Sequence, residues 1–249
     1  MEIAFLVIAT LFVGFSCGCT SVGGVLLVPV LEALTDLDLR MAMGTVLVAF
    51  FFSGIAGTVI HHKAGRLACP ATLPLCLGSI PLGFAGAVAK EFISIPALSA
   101  ILGIGIIIGG ITALKPVSGV SGMEGVSARN RNTALVAIGA GVAFISAMTG
   151  ASGPVFSVPI MLLLGYPPVT AIAVAVPMQL AICFSGSVGN LIMDAIDYPM
   201  ALYTTVLMTV GVSLGTWSLT FFNPNTLKIA VALLCVVTGA IMLGRSVIT

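Results

Sequence analysis

Charge is confined to a few short clusters, and the stretches between them are long. Residues 3–31, 41–62, 67–89, 92–114, 132–193, 198–227 and 229–244 contain no Asp, Glu, Lys or Arg. A bilayer core about 30 Å thick needs about 20 apolar residues per crossing helix. Most of these stretches reach that length, and 132–193 exceeds it threefold. Backbone in lipid must satisfy its own polar groups, so runs of this kind read as membrane helices. Only 9 Lys/Arg and 8 Asp/Glu occur in 249 residues, 7% charged where a soluble domain carries roughly 25%. Soluble enzymes, nucleic-acid binders and disordered chains are excluded. The expected fold is an all-α polytopic membrane protein with about eight transmembrane segments.

The six cysteines, Cys17, Cys19, Cys69, Cys76, Cys183 and Cys235, lie in apolar stretches. There a thiol packs as a small hydrophobe, and no disulfide scaffold is implied. Residues 3–15 are apolar and followed by small residues, as in a signal peptide. The only charge ahead of them is Glu2, the wrong sign for such a leader, so the segment is expected to span the membrane.

An internal duplication organises the chain. Residues 16–29 (SCGCTSVGGVLLVP) align with 146–159 (SAMTGASGPVFSVP) at an offset of 130. At an offset of 132, 49–60 (AFFFSGIAGTVI) align with 181–192 (AICFSGSVGNLI), with six identities in twelve. The same offset pairs Thr72 with Thr204, Leu75 with Leu207, and Leu82-Gly83 with Leu214-Gly215. Each half then reads as four segments: 3–32, 41–60, 67–89 and 93–114, then 133–164, 169–192, 199–221 and 226–247. Pro167-Pro168 divides the longest uncharged run, because proline cannot continue a helix. The expected units are 1–114 and 133–249, joined by a polar linker at 115–132.

The first segment of each half is broken. Cys19-Thr20-Ser21-Val22-Gly23-Gly24 and Thr149-Gly150-Ala151-Ser152-Gly153-Pro154 interrupt apolar runs of about 30 residues. Breaks free backbone N–H and C=O groups, which lipid does not tolerate unless protein or a watery cavity meets them. Interrupted segments at corresponding places in two halves point to a transporter's binding site. The competing reading is close helix packing through small residues.

Orientation is only partly decided by charge. Whether segments 1 and 5 cross or are re-entrant, six of nine basic residues fall on one side, so the positive-inside rule does not choose. The loop His61-His62-Lys63-Ala64-Gly65-Arg66 is basic, however, and its counterpart Met193-Asp194-Ala195-Ile196-Asp197 is acidic. Opposite charge at equivalent loops favours inverted repeats.

The runs Ser-Val-Gly-Gly-Val-Leu-Leu-Val-Pro (21–29) and Ala-Ser-Gly-Pro-Val-Phe-Ser-Val-Pro (151–159) resemble the paired glycine/proline signatures of the sulfite exporter TauE/SafE family. The Phe-Ser-Gly-x-x-Gly pairs at 52–57 and 184–189 are similar too, as are the short polar loops after them. The resemblance covers essentially the whole chain. It implies a multi-pass permease of the cell inner membrane, built from two repeats and moving sulfite, organosulfonates or related small anions. Cys17-Gly18-Cys19 departs from the family pattern and leaves the substrate open.

An anion inside a membrane normally calls for compensating charge, yet Arg40, Lys63, Arg66, Lys90, Lys115, Lys228 and Arg245 all fall at segment ends. A broken helix offers unpaired N–H groups and a partial positive charge instead. Gly23, Gly24, Gly150 and Gly153 would let an anion approach the backbone; Thr20, Ser21, Thr149 and Ser152 would add hydroxyl donors. Gln179, an isolated amide whose counterpart is Leu47, joins them as a substrate or interhelix ligand. Thr45 is a further candidate lining residue, with Ser53, Ser185 and Asn190 behind it.

Intramembrane or interfacial ionisable groups mark proton relays. Glu32, His61 and His62 are the candidates, against a plainer interfacial location beside Lys63 and Arg66. No metal-ligand cluster, cofactor fingerprint or nucleophile–base pair occurs, so neither catalysis nor a cofactor is expected. The expected partners are a small anionic substrate and the lipid bilayer, with self-association left open and no nucleic acid. A negative-inside potential favours anion exit by about 2.3 kcal/mol per charge per 100 mV, which makes export the default direction. Alternatives are another sulfur species or organic anion handled through Cys17 and Cys19, a passive anion channel, or a non-transporting membrane subunit.

Overall fold

A computed structural model describes residues 2–20, 23–63, 70–114, 127–218 and 224–248. Within these the chain is helical: α1 (Glu2–Thr20), α2 (Leu27–Leu34), α3 (Leu39–Lys63), α4 (Thr72–Ala89) and α5 (Ile95–Leu114) in the first half. The second half holds α6 (Ala128–Thr149), α7 (Gly153–Leu163), α8 (Pro168–Ile192), α9 (Tyr198–Ser218) and α10 (Pro224–Ile248). Six spans among the described residues are long and apolar enough to cross a membrane: Leu39–Ile60, Thr72–Phe92, Ile95–Thr112, Arg129–Thr149, Thr170–Ile192 and Tyr198–Ser218. In α1 and α10 the apolar stretches Ala4–Cys19 and Val231–Ser246 are shorter.

Helix ends follow local chemistry. Asp38 Oδ1 accepts the Met41 N–H at 2.7 Å and starts α3; Asp197 Oδ1 accepts that of Met200 at 2.8 Å and starts α9. Ser127 caps α6 through the Asn130 N–H, so this helix begins inside the stretch expected to be linker. Residues 115–126 lie outside the described residues.

Both expected breaks are present. α1 ends at Thr20, and a 3₁₀ turn at Gly23–Leu26 leads into the short α2. α6 ends at Thr149 and is capped by Gly150, whose φ of 65° is the left-handed conformation of a helix-terminating glycine, and α7 restarts at Gly153. A Cβ at Gly150 would also lie 2.8 Å from Met43 Cα, so glycine is required twice over.

α3 and α8 are the most buried spans and cross at the centre, where Leu47, Phe50, Met178 and Ile182 are sealed from solvent. The outer helices turn large apolar side chains outward, among them Leu202, Trp217 and Leu233. A lipid surface accommodates such a face. Small residues let backbones approach, and the contacts reveal helix direction. Gly44 meets Ala195, Gly54 meets Leu180 and Gly57 meets Val176, so α3 and α8 run antiparallel. Gly103 against Gly239 and Gly110 against Ala232 make α5 and α10 antiparallel as well. By the same test α1 lies parallel to α9 (Gly14–Gly211, Gly18–Thr216) and α4 parallel to α6 (Gly78–Val136, Gly86–Phe144).

These neighbours map onto themselves when the halves are exchanged. α1 packs on α9 as α6 packs on α4, α9 on α3 as α4 on α8, and α2 on α3 as α7 on α8. One register differs from the sequence alignment. Ahead of the breaks α1 and α6 match at an offset of 129, with Val13-Gly14-Phe15 on Val142-Ala143-Phe144 and both helices ending at a threonine, Thr20 and Thr149. Gly215 abuts the Phe15 backbone as Gly86 abuts that of Phe144, so Gly215 corresponds in space to Gly86 and not to Gly83. α9 is therefore shifted three residues relative to the offset of 132. A glycine-rich apolar sequence matches itself at more than one register, and helix contacts decide between them.

Among the described residues a cluster of charges packs at the corner where α3 begins. Lys90, fully buried, donates to the Arg40 carbonyl at 2.6 Å, and Arg40 Nη2 donates to the Ile93 carbonyl at 2.6 Å. Glu91 lies 3.5 Å from Lys90 Nζ and 4.0 Å from Arg40 Nε. The cluster ties the start of α3 to the α4–α5 corner.

Candidate functional site

Both breaks reach the α3–α8 crossing, the first through Gly24 against Phe50 and the second through Gly153 against Gln179 and Ile182. α8 carries Pro177, which has no N–H to return to the carbonyl four residues earlier. Two residues on, Gln179 is 5% exposed and joins three elements. Its Oε1 accepts the Ser152 hydroxyl at 3.3 Å, and its Nε2 donates to the Phe50 carbonyl of α3 at 3.3 Å. Ser152 sits at the N-cap position of α7 but caps nothing with its side chain. Its hydroxyl is turned to the amide instead.

Beside Gln179 is a cavity of about 40 Å³ lined by Cys17 and Gly18 of α1, Ser53, Gly54 and Gly57 of α3, and Pro154 of α7. Val176 and Gln179 of α8, with Val212 and Thr216 of α9, complete it. One water needs roughly 10–15 Å³ by this measure, so the space suits about three waters or an anion of a few heavy atoms. All ten lining residues are neutral. The scarcity of charge in the sequence is thus carried into the site itself.

The donors facing the cavity are few. An amide nitrogen bears two N–H groups, and Gln179 gives one to Phe50, which leaves the second for an occupant. Ser53 donates to the Phe50 carbonyl at 3.3 Å. Thr216 donates to the Val212 carbonyl at 2.8 Å and lies 3.4 Å from that of Gly18. The Cys17 sulfur lies against Gly24, at the start of the 3₁₀ turn after the first break. Cys19 faces elsewhere: its thiol donates to the Gly215 carbonyl at 3.1 Å and tethers α1 to α9.

The residues expected from sequence are partly brought together. Gly24 packs under Phe50 and Cys17, Gly153 lies against Ile182 and Gln179, and Gly23 lies against Ser16. Ser152 and Gln179 are hydrogen-bonded. Thr149, though at the second break, donates to the Ile145 carbonyl at 2.7 Å within its own helix. Thr45 is buried away from the cavity, accepting the Asp197 N–H at 3.0 Å at the α8–α9 turn. Ser21 and the side chains of Thr20 and His61 lie outside the described residues. His62 is exposed in the last turn of α3. Glu32 lies 3.7 Å from Arg245 Nη1 at the ends of α2 and α10, and neither lines the cavity.

Sequence reasoning missed the α9 wall, Val212 and Thr216. Their presence depends on α9 packing on α1, some 200 residues earlier. The one available signal was Thr216, a hydroxyl in an apolar segment.

The sequence matches the family model described as Sulfite exporter TauE/SafE over residues 6–242. No curated protein matches it, and no solved structure does.

Proposed function

The chain belongs to the sulfite exporter TauE/SafE family of membrane transporters, and from that premise we propose that it is a secondary permease carrying sulfite, an organosulfonate or a related small anion through the cavity beside Gln179. The observation that carries this reading is the position of that cavity: beside the crossing of α3 with α8, between the last turn of α1 and the first turn of α7. Transporter sites lie at such repeat interfaces, formed by discontinuous helices.

The halves are read as inverted repeats, 1–114 and 133–249, with an intervening linker at 115–132. Support comes from the antiparallel course of α3 against α8 and of α5 against α10, since equivalent helices of inverted repeats point opposite ways. Eight segments would then cross or enter the membrane, α1–α2 and α6–α7 each counting as one broken segment.

Substrate recognition rests on neutral donors. The donors available are the second Gln179 N–H and the hydroxyls of Ser53 and Thr216, all on residues that line the cavity; from α7 only Pro154, which has no N–H, reaches it, and the Val155 N–H donates to the Ser152 carbonyl at 3.0 Å. Each hydrogen bond to a charged group contributes about 1.5–3 kcal/mol, so two or three of them offset part of the anion's lost hydration. Alternating exposure would follow from rocking of one helix group against another about the central crossing. Export from a negative-inside compartment is the default direction. The neutral lining favours this reading over a proton relay through Glu32, which is paired with Arg245 outside the cavity. Location in the cell inner membrane follows the same family reading.

Proteoliposome flux against a panel of sulfite, sulfonates, carboxylates and chloride tests the proposal. Saturable movement of sulfite or a sulfonate is the expected result. Unsaturable flux of all anions alike would establish a channel, and no flux of any would remove the permease reading.

A further inference from the structure

The cavity has a counterpart that is shut. With α9 placed on α4 by the Gly215–Gly86 correspondence, and α3 on α8 by the offset of 132, Val212 and Thr216 correspond to Gly83 and Ala87. Ser53 and Gly57 correspond to Ser185 and Gly189. On the α4–α8 side these residues touch. A Cβ at Gly83 would collide with Ser185 Oγ, and one at Gly189 would lie 2.9 Å from Ala87 Cβ and 3.1 Å from the Phe84 carbonyl oxygen. On the α9–α3 side all four equivalents line the cavity instead. A Cβ at Gly57 would meet only Val176 within 4 Å beyond its own helix backbone and chain neighbours.

α9 nevertheless stays on α3 at its other end, where the Asp197 N–H donates to Thr45 at 3.0 Å and where Val48, Phe51 and Ala201 border one apolar groove. α3 and α9 therefore diverge toward Gly57 and Thr216, like two legs joined at one foot. Each of α9 and α4 is bound along its length to a broken helix. Gly18, Gly211 and Gly215 join α9 to α1; Gly78, Gly86 and Gly139 join α4 to α6. Ser79 Oγ lies 2.7 Å from the Leu75 carbonyl and 3.3 Å from that of Gly139, a further α4–α6 tie.

We infer that the Gly83–Ser185 and Ala87–Gly189 contacts form one gate of the pathway and Val212–Ser53 and Thr216–Gly57 the other, the first shut and the second parted in this structure. The moving bodies are the pairs α1–α9 and α4–α6. Closing Thr216 onto Gly57 accompanies the parting of Ala87 from Gly189, and the occupant leaves by the opposite face. This rests on the permease reading, because only a transporter needs both gates on one route.

The test is a four-cysteine variant, Ala87→Cys, Gly189→Cys, Gly57→Cys and Thr216→Cys, in a chain whose native cysteines are alanine. Under mild oxidation in liposomes each molecule is expected to carry an 87–189 or a 57–216 crosslink, and not both. Doubly crosslinked molecules would overturn the inference, and this readout needs no substrate. In the two-cysteine versions, full crosslinking at either gate is expected to lower flux at least tenfold, with recovery in reductant. Full flux with the 87–189 crosslink in place would equally overturn it. Absence of flux in the unmodified protein refutes the permease reading alone, since crosslink exclusivity still reports on the gates. A variant that leaves the central helices otherwise untouched gives an independent measure. Gly189→Ala places a methyl against Ala87 and is expected to raise the 57–216 crosslink yield several-fold; an unchanged yield would count against coupled gates.

Discussion

Replacing Gln179 with methionine keeps the length and volume of the side chain but removes its amide. The structure defines what is lost: the Ser152 hydroxyl's acceptor at 3.3 Å, the donor to Phe50 at 3.3 Å, and the second N–H of an amide that lines the cavity. The Phe50 carbonyl keeps Ser53 as a donor, so the fold loses little there. Ser152 loses its acceptor, and a typical intramolecular hydrogen bond contributes about 0.5–1.5 kcal/mol. An N–H to a charged anion is worth more, about 1.5–3 kcal/mol, and each 1.4 kcal/mol is tenfold in affinity. Gln179→Met should therefore weaken substrate binding by about 10- to 100-fold while lowering stability only modestly. Gln179→Glu, with a negative charge at the same point, should reduce flux further. The assay is flux into proteoliposomes over a range of anion concentrations, with thermal unfolding in detergent to check folding. Wild-type KM and maximal rate in a folded Gln179→Met protein would refute the idea that this amide holds the anion.

Other expectations are simpler to state. Cys17 borders the cavity whereas Cys183 and Cys235 are buried, so a small charged thiosulfonate should label Cys17 ahead of those two, and saturating substrate should slow it; labelling insensitive to substrate would separate Cys17 from the site. Gly150→Ala should destabilise strongly, by about 1–2 kcal/mol for the left-handed backbone and a further 1–3 kcal/mol for crowding Met43, and a Tm equal to wild type would contradict that geometry. Glu32→Gln removes a partly exposed ion pair worth at most about 1 kcal/mol, and the pH profile of flux should not move. A shifted profile would restore Glu32 as a proton carrier. Thr45→Val should lower stability by about 1 kcal/mol through the lost bond to Asp197 and leave KM unchanged, as measured by unfolding and flux together.

The fold was legible where covalent chemistry punctuates the chain. Gly150 marks the second break because its positive φ and its close approach to the Met43 backbone together call for glycine, and the clusters of small residues around Gly153 and Gly23-Gly24 mark the restarts of the two broken segments. Gln179 stood out because a lone amide in an apolar run must find partners. Thr149 and Thr45 looked equivalent to Ser152 in sequence, yet helical hydroxyls return to their own carbonyls or bridge to a turn. Only geometry distinguishes those fates. The three-residue shift of α9 was hidden for a similar reason: glycines and leucines repeat often enough that several alignments look alike, and backbone contact with Phe15 selects one. The α9 wall depends on a contact between distant segments, and its one local trace is Thr216, a hydroxyl in an apolar segment.

A cavity lined without formal charge has an electrical consequence for the carrier cycle proposed above. In that cycle, when the empty protein reorients, the ten side chains around the cavity move no net charge through the membrane field, so that half of the cycle is blind to voltage. The loaded half moves the full charge of the anion. In the absence of a co-transported ion, current per molecule carried equals the substrate's own valence, and the reversal potential follows the anion gradient alone. A lysine or arginine at the same place would have cancelled that current on the loaded stroke and returned it on the empty one.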